Sequence, residues 1–158
     1  MPGAATDISS RLRELGIELP EPAAPLAAYV GFVHAGNLLY VSGQVPVRDG
    51  AVIATGRLGD TVSLEDGQAC ARLCAVNILA QLRIACEGDW SRVERCVRLG
   101  GFVAATPEFE QHPQVINGAS ELIGEVMGER GAHARAAVGV ASLPRGVPVE
   151  VDAIFAMR

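Results

Sequence analysis

There is no lysine in this 158-residue chain; all 13 basic residues are arginine. That absence excludes a Schiff-base lysine, so the chain is not itself a pyridoxal-phosphate enzyme or a lysine-type aldolase. It also excludes a Walker A loop, which needs Gly-Lys-Ser/Thr. Basic charge is in deficit overall. With a net charge of −5 and 4% aromatic residues, the chain is poorly equipped to track a phosphate backbone or stack bases. No apolar run reaches membrane-span length, and MPGAATDISSRL shows no basic-then-apolar signal pattern. A cytoplasmic protein with no membrane partner is expected. Cysteines number four, and Cys70, Cys74 and Cys86 fall in or at the end of one predicted helix. That is a poor disulfide framework, and free thiols in a reducing compartment are expected. Cysteine and histidine together match no zinc-knuckle spacing, so no metal site is expected.

What is present is the make-up of an ordinary globular domain, with 49% apolar and 20% charged residues. The length fits one domain with a real core. Residues 6–15 read as a short amphipathic helix capped by Thr6 or Asp7, with Ile8, Leu12 and Leu15 as its stripe and Gly16 ending it. A Pro-rich linker follows through Pro25, which makes 1–24 an N-terminal appendage and 25–158 the main domain. Leu26 to Val33 and Leu38 to Ser42 read as strands joined at Gly36-Asn37. A third short strand, Val52 to Thr55, follows the Arg48-Asp49-Gly50 turn. Ser63 opens a long helix with a stripe of Ala69, Leu73, Val76, Ala80, Leu82 and Ile84, closed by Gly88. Val93 to Ala105 is strand-like with a bulge expected at Gly100-Gly101. Pro113 to Met127 is a further helix, with Trp90 expected to seal the corner before the strand. The order βββαβαββ predicts an α+β domain with two helices on one face of a sheet.

The chemistry concentrates in RAAVGVASLPRGVPVEVD, residues 135–152. It reads as strand, Leu-Pro-Arg-Gly turn, strand. Alternation places Arg135, Ala137, Gly139 and Ala141 on one face, so a guanidinium heads a row of very small side chains. Glu150 and Asp152 share a face of the returning strand. A simple hairpin register pairs Glu150 with Gly139 and leaves Arg135 about 13 Å further along. Arg135 is then either a structural ion-pair partner of Glu150 or Asp152, or a ligand anchor.

The spacing from Arg135 to Pro144 to Glu150, then Asp-Ala-Ile, resembles the C-terminal signature of the RidA/YjgF family of reactive-intermediate deaminases. GNLLYVSGQVP, residues 36–46, resembles the family's second motif. Tyr29 falls on its tyrosine and Asn77 on its mid-helix asparagine, so the matches span residues 25–157. The resemblance implies the chorismate-mutase-like fold and a homotrimer with sites between subunits. It also implies cofactor-free hydrolysis of 2-imino acids to keto acids and ammonia. By the same resemblance Arg135 anchors the substrate carboxylate, Glu150 is the acidic residue, Tyr29 lines the pocket, and Ser42 and Gly43 shape it. A guanidinium suits a carboxylate through two parallel N–H bonds. A carboxylate at Glu150 can take a proton from water and return it to the leaving amine. Many members carry cysteine where this chain has Ala137, so no thiol nucleophile is available there. Two other readings stand beside this one: a non-catalytic trimer that binds small carboxylate metabolites, and an endoribonuclease, a role attributed to some relatives and disfavoured here by charge.

Overall fold

A computed structural model of the chain describes residues 7–22, 24–25 and 27–158. Asp7 caps the first helix, α1 (Ile8–Glu14), accepting the backbone N–H groups of Ser9 and Ser10. Thr6, the other expected cap, lies outside the described residues, as does Leu26, the expected start of the first strand. The strands are β1 (Phe32–Ala35), β2 (Leu38–Gln44), β3 (Val47–Arg48), β4 (Ala51–Val52), β5 (Val93–Ala104), β6 (Ala134–Val140) and β7 (Val149–Met157). Two longer helices, α2 (Leu64–Ala85) and α3 (His112–Met127), flank β5 in the chain. Ser63 caps α2 by accepting the Asp66 N–H at 3.1 Å.

One mixed sheet has the order β1-β2-β7-β5-β6, and β3 and β4 form a separate ribbon. All neighbours are antiparallel except β5 and β6, which run parallel. A parallel pair needs a crossover, and α3 supplies it. Leu39, Val41, Leu99, Val103, Val149, Val151 and Phe155 face the helices and are buried against Leu79, Leu82, Ile116, Leu122 and Ile123. Ile8 and Leu12 of α1 join the same core, and Arg11 donates to the Glu125 carbonyl near the end of α3. The opposite sheet face carries Val33, Tyr40 and Val138, all exposed. The α+β architecture with two helices on one sheet face is as expected.

Several local expectations are corrected: the first strand starts at Phe32, and in place of a strand over Val52–Thr55 a short ribbon pairs Val47–Arg48 with Ala51–Val52. The expected C-terminal hairpin is absent: β6 and β7 are not neighbours, because β5 lies between them. The turn itself exists, with Arg145 and Gly146 both at positive φ. Its flanking segments step over β5, a span of about 10 Å at two strand spacings. Alternation reports faces and turns, but not which strand a segment pairs with. Next, the bulge expected at Gly100-Gly101 sits earlier, between Val93/Arg95 and Cys96/Arg98. Through Gly100-Gly101 the ladder is regular; a Cβ on Gly101 would come 2.5 Å from Ile116 of α3. Finally, the buried side of α2 matches the expected stripe only in part, at Leu73, Ala80 and Leu82. Ala69 and Ile84 are exposed, while Cys70, Cys74 and Ile78 are buried. The cysteines act as small hydrophobes and extend the apolar face beyond what the aliphatic residues mark.

All four thiols are free and buried. Burial pushes Cys70 up to about 11 and Cys96 to about 12, and raises Cys74 and Cys86 as well. Thiolates are the reactive species. A disulfide reagent at pH 7.5 is therefore expected to label none of the four quickly in the native protein, and all four after denaturation. Fast labelling of any one would contradict the burial.

Candidate functional site

Arg135 lies on β6 directly opposite Leu99 of β5, which places it on the helix side of the sheet. Its guanidinium reaches α3. Nη1 donates to Asn117 Oδ1 at 2.9 Å and to Ser120 Oγ at 3.1 Å, and Nη2 donates to the Pro113 carbonyl at 3.3 Å. Every partner is neutral, and no ion pair forms at Arg135 among the described residues. Behind it, His133 contacts Ser120 Oγ through Nε2 at 2.9 Å and the Gly131 carbonyl through Nδ1 at 2.6 Å. A carbonyl only accepts, so Nδ1 carries the proton. In the neutral ring Nε2 then takes the Ser120 O–H, leaving Ser120 Oγ to accept from Arg135. Asn117, Ser120 and His133 thus orient the guanidinium. Asn117 and Ser120 belong to no motif that marks them in the sequence, although their i, i+3 spacing on an amphipathic helix marks one polar spot.

The row of small side chains is real. Gly139 follows on the same face, and a Cβ there would sit 2.6 Å from His112 Nε2. Gly139, His112, Phe109 and Thr106 border a cleft of about 420 Å³.

Glu150 and Asp152 are elsewhere. Glu150 is paired with Phe102 and Asp152 with Gly100, on the sheet face opposite Arg135. Asp152 approaches Arg98 at 3.7 Å. The structural alternative, an ion pair from Arg135 to either carboxylate, is therefore not what the fold builds. Burial, and then the charge of Asp152, raises the Glu150 carboxyl above its ordinary value. Asp152 is also raised by burial, against the pull of Arg98.

Glu150 packs on Gly43, where a Cβ would collide with its carboxylate. Gly43 sits in the β2 irregularity between Val41 and Gln44. Ser42 ties this strand to the tyrosine segment: its Oγ donates to the Val30 carbonyl at 2.6 Å and its backbone N–H to Gly31. Tyr29 is 51% exposed. Asn77 does not point an amide donor at open space; Nδ2 donates to the Val45 and Val47 carbonyls at 3.0 and 3.1 Å. Tyr29, Gly43 and Asn77, with the linker prolines, border a cavity of about 830 Å³. The five expected site residues thus form two groups within one chain. Tyr29, Ser42, Gly43 and Glu150 cluster around β2 and β7, and Arg135 stands apart under α3.

A family model described as "YjgF/chorismate_mutase-like, putative endoribonuclease" matches residues 9–151. This chain belongs to that family. Protein TCP17 of Trypanosoma cruzi is 47% identical over 156 residues, covering 98% of this chain and 97% of its own. The crystal structure of the protein Atu1372, of unknown function, from Agrobacterium tumefaciens is 52% identical. It covers 96% of this chain and 92% of its own, with a TM-score of 0.89. Escherichia coli TdcF with bound serine is more distant, at 25% identity and a TM-score of 0.64, covering 87% of this chain and 94% of its own. As a family member the chain keeps the two-helix, mixed-sheet scaffold. Among the described residues no helix is long and apolar enough to cross a membrane.

Proposed function

We propose that this protein hydrolyses reactive 2-imino acids to 2-keto acids and ammonia, in a homotrimer whose sites lie between subunits and need no cofactor. The observation that carries the reading is Arg135: a fixed guanidinium with no counter-ion among the described residues, oriented by three neutral oxygens. Uncompensated charge held in one geometry suits a substrate carboxylate. The TdcF structure, with its bound serine, supports a small amino-acid-like ligand. The division of the site into two groups supports assembly, with Arg135 of one copy facing Tyr29 and Glu150 of the next. The exposed apolar residues on the outer sheet face support a covering partner as well.

In that arrangement the carboxylate is held at Arg135 and the neighbouring C=N carbon faces Glu150. Water adds to that carbon while Glu150 takes its proton. Glu150 returns the proton to the nitrogen of the resulting carbinolamine. The C–N bond breaks as the hydroxyl oxygen forms C=O, and the hydroxyl proton passes to the departing ammonia, leaving the keto acid and ammonium. One water is consumed for each imine. Protonated imines are strong electrophiles, so positioning and one proton shuttle suffice.

The test is a coupled dehydratase assay that follows 2-iminobutyrate. Added protein should speed its loss well beyond the uncatalysed rate; no acceleration would end the reading. Glu150 gives a second expectation. The basic form is needed, so the acid limb of kcat/KM should have its midpoint above the ordinary 4.5. Its raised pKa also has a stability sign. The contribution is fully present below 4.5 and lost as pH rises through the folded-state value. Glu150→Gln should therefore raise Tm at pH 7, and that gain should vanish in melts below pH 4.5.

Ala137, in place of the cysteine many members carry, favours a second reading, a non-catalytic trimer that binds carboxylate metabolites. Thermal stabilisation by 2-keto acids without imine hydrolysis would select it. An endoribonuclease, named in the family description, sits poorly with a net charge of −5 and no lysine.

A further inference from the structure

Gln81 on α2 is 7% exposed, and its side-chain amide has no hydrogen-bond partner among the described residues. It is pinned against the chain at Gly31, where a Cβ would come 2.5 Å from Oε1 and 2.9 Å from Nε2. The amide atoms are not sealed from solvent, so they stay open to the cavity and available to a ligand group. Gln81 borders the 830 Å³ cavity, whose lining also includes Pro20, Pro22, Tyr29, Val47 and Gly43. Gly43 in turn packs on the Glu150 carboxylate. Two residues of the proposed site, Tyr29 and Gly43, thus border a space with mostly apolar walls that extends to the unpaired Gln81 amide.

A two-carbon side chain such as that of 2-iminobutyrate would leave most of this space unfilled. We infer that the cavity is the side-chain pocket of the site. Its preferred substrates are 2-imino acids with a side chain several atoms long, apolar along its stem and ending in a neutral donor-plus-acceptor group such as a ureido or carboxamide. That end group pairs with both Oε1 and Nε2 of Gln81. A charged end would face desolvation beside an uncharged partner. Asn77 cannot compete as donor, because both Nδ2 bonds are already committed. Other charged residues line the cavity. Glu21 is paired with Arg83, and Asp49 and Arg145 are exposed. Arg145 has no bonded partner among the described residues, which makes an acid-ended side chain the competing choice.

This inference rests on the imine-hydrolysis reading, and the experiment separates the two. An L-amino-acid oxidase generates imines from 2-aminobutyrate, norleucine, citrulline and 2-aminoadipate, and semicarbazide trapping reports how fast each is hydrolysed. The wild type should favour the citrulline imine over the norleucine imine by about tenfold or more in kcat/KM, as sites with buried polar groups do. Gln81→Met keeps the volume and removes the amide; it should bring that ratio to within about twofold. Gly31→Ala displaces the amide instead and should lower the ratio too, which guards against misfolding of either variant alone. If no imine is hydrolysed faster than the blank, the functional reading falls and the pocket assignment with it. If imines are hydrolysed but the citrulline preference is absent, or survives Gln81→Met, only the pocket assignment falls. A preference for the 2-aminoadipate imine that Arg145→Ala abolishes would likewise overturn it, in favour of Arg145.

Discussion

Arg135→Ala is expected to lower kcat/KM for 2-iminobutyrate by roughly 100- to 1,000-fold, the loss of about 3–4 kcal/mol from a charge-assisted pair of hydrogen bonds. Arg135→Lys should recover little of this. An ammonium lacks the planar fork that meets a carboxylate with two parallel bonds, and it cannot reproduce the three contacts to α3. The two-group geometry adds a sharper test. If each site joins Arg135 of one copy to Glu150 of its neighbour, mixing inactive Arg135→Ala and Glu150→Gln subunits should rebuild some sites. An equal, fully exchanged mixture should show about a quarter of wild-type activity, because each rebuilt site needs one specified variant on each side. No recovery after verified subunit exchange would place both residues in one chain's site, or neither residue in any. The uncompensated charge is what makes the first loss large. Were Arg135 neutralised by Asp152, its removal would chiefly unbalance a structural pair, yet Asp152 is engaged with Arg98.

The second large effect is on stability. Gly118 of α3 lies over α2, where a Cβ would collide with the backbone carbonyl of Gln68. Gln68 also ties the helices together, its Nε2 donating to the Gln114 carbonyl at 2.9 Å. A side chain can swing aside, but a helix backbone cannot, so Gly118→Ala must pry α2 from α3. The cost should reach the upper range for overpacking, about 3 kcal/mol. That corresponds to a Tm loss of about 6–12 °C for a chain of this size. Gly124→Ala, on the same helix, is the matched control. Nothing lies within 4 Å of its Cβ position, and the gain in helix propensity should leave Tm unchanged or slightly higher. Equal melting shifts in the two variants would show that the helix contact at Gly118 is not the determinant.

Several of these features were legible in the chain itself. Period-two alternation around Arg135 gave its face and its row of small neighbours correctly. The Ser63 cap, the long helix after it and the strand from Val93 followed from local chemistry that acts within a few residues. The motif residues carried the family. Partner choice was not legible. Nothing local says that residues 141–148 step across β5, because a turn fixes where the chain bends and leaves open which strand it lands beside. The full width of the buried face of α2 was not legible because cysteine reads as a polar or reactive residue in sequence and behaves as a hydrophobe once buried.

By itself, then, the sequence determined the two long helices, the strand from Val93 and the face on which Arg135 lies, all set by short-range sterics and hydrophobic period. Only the tertiary structure decided that Arg135 and Glu150 lie on opposite faces of the sheet. Inserting β5 between β6 and β7 is a long-range packing outcome, settled by which apolar faces the whole sheet can bury together. Among the described residues the same packing left Arg135 without an acid and the Gln81 amide without a hydrogen bond; the first supports the proposed function and the second the pocket assignment.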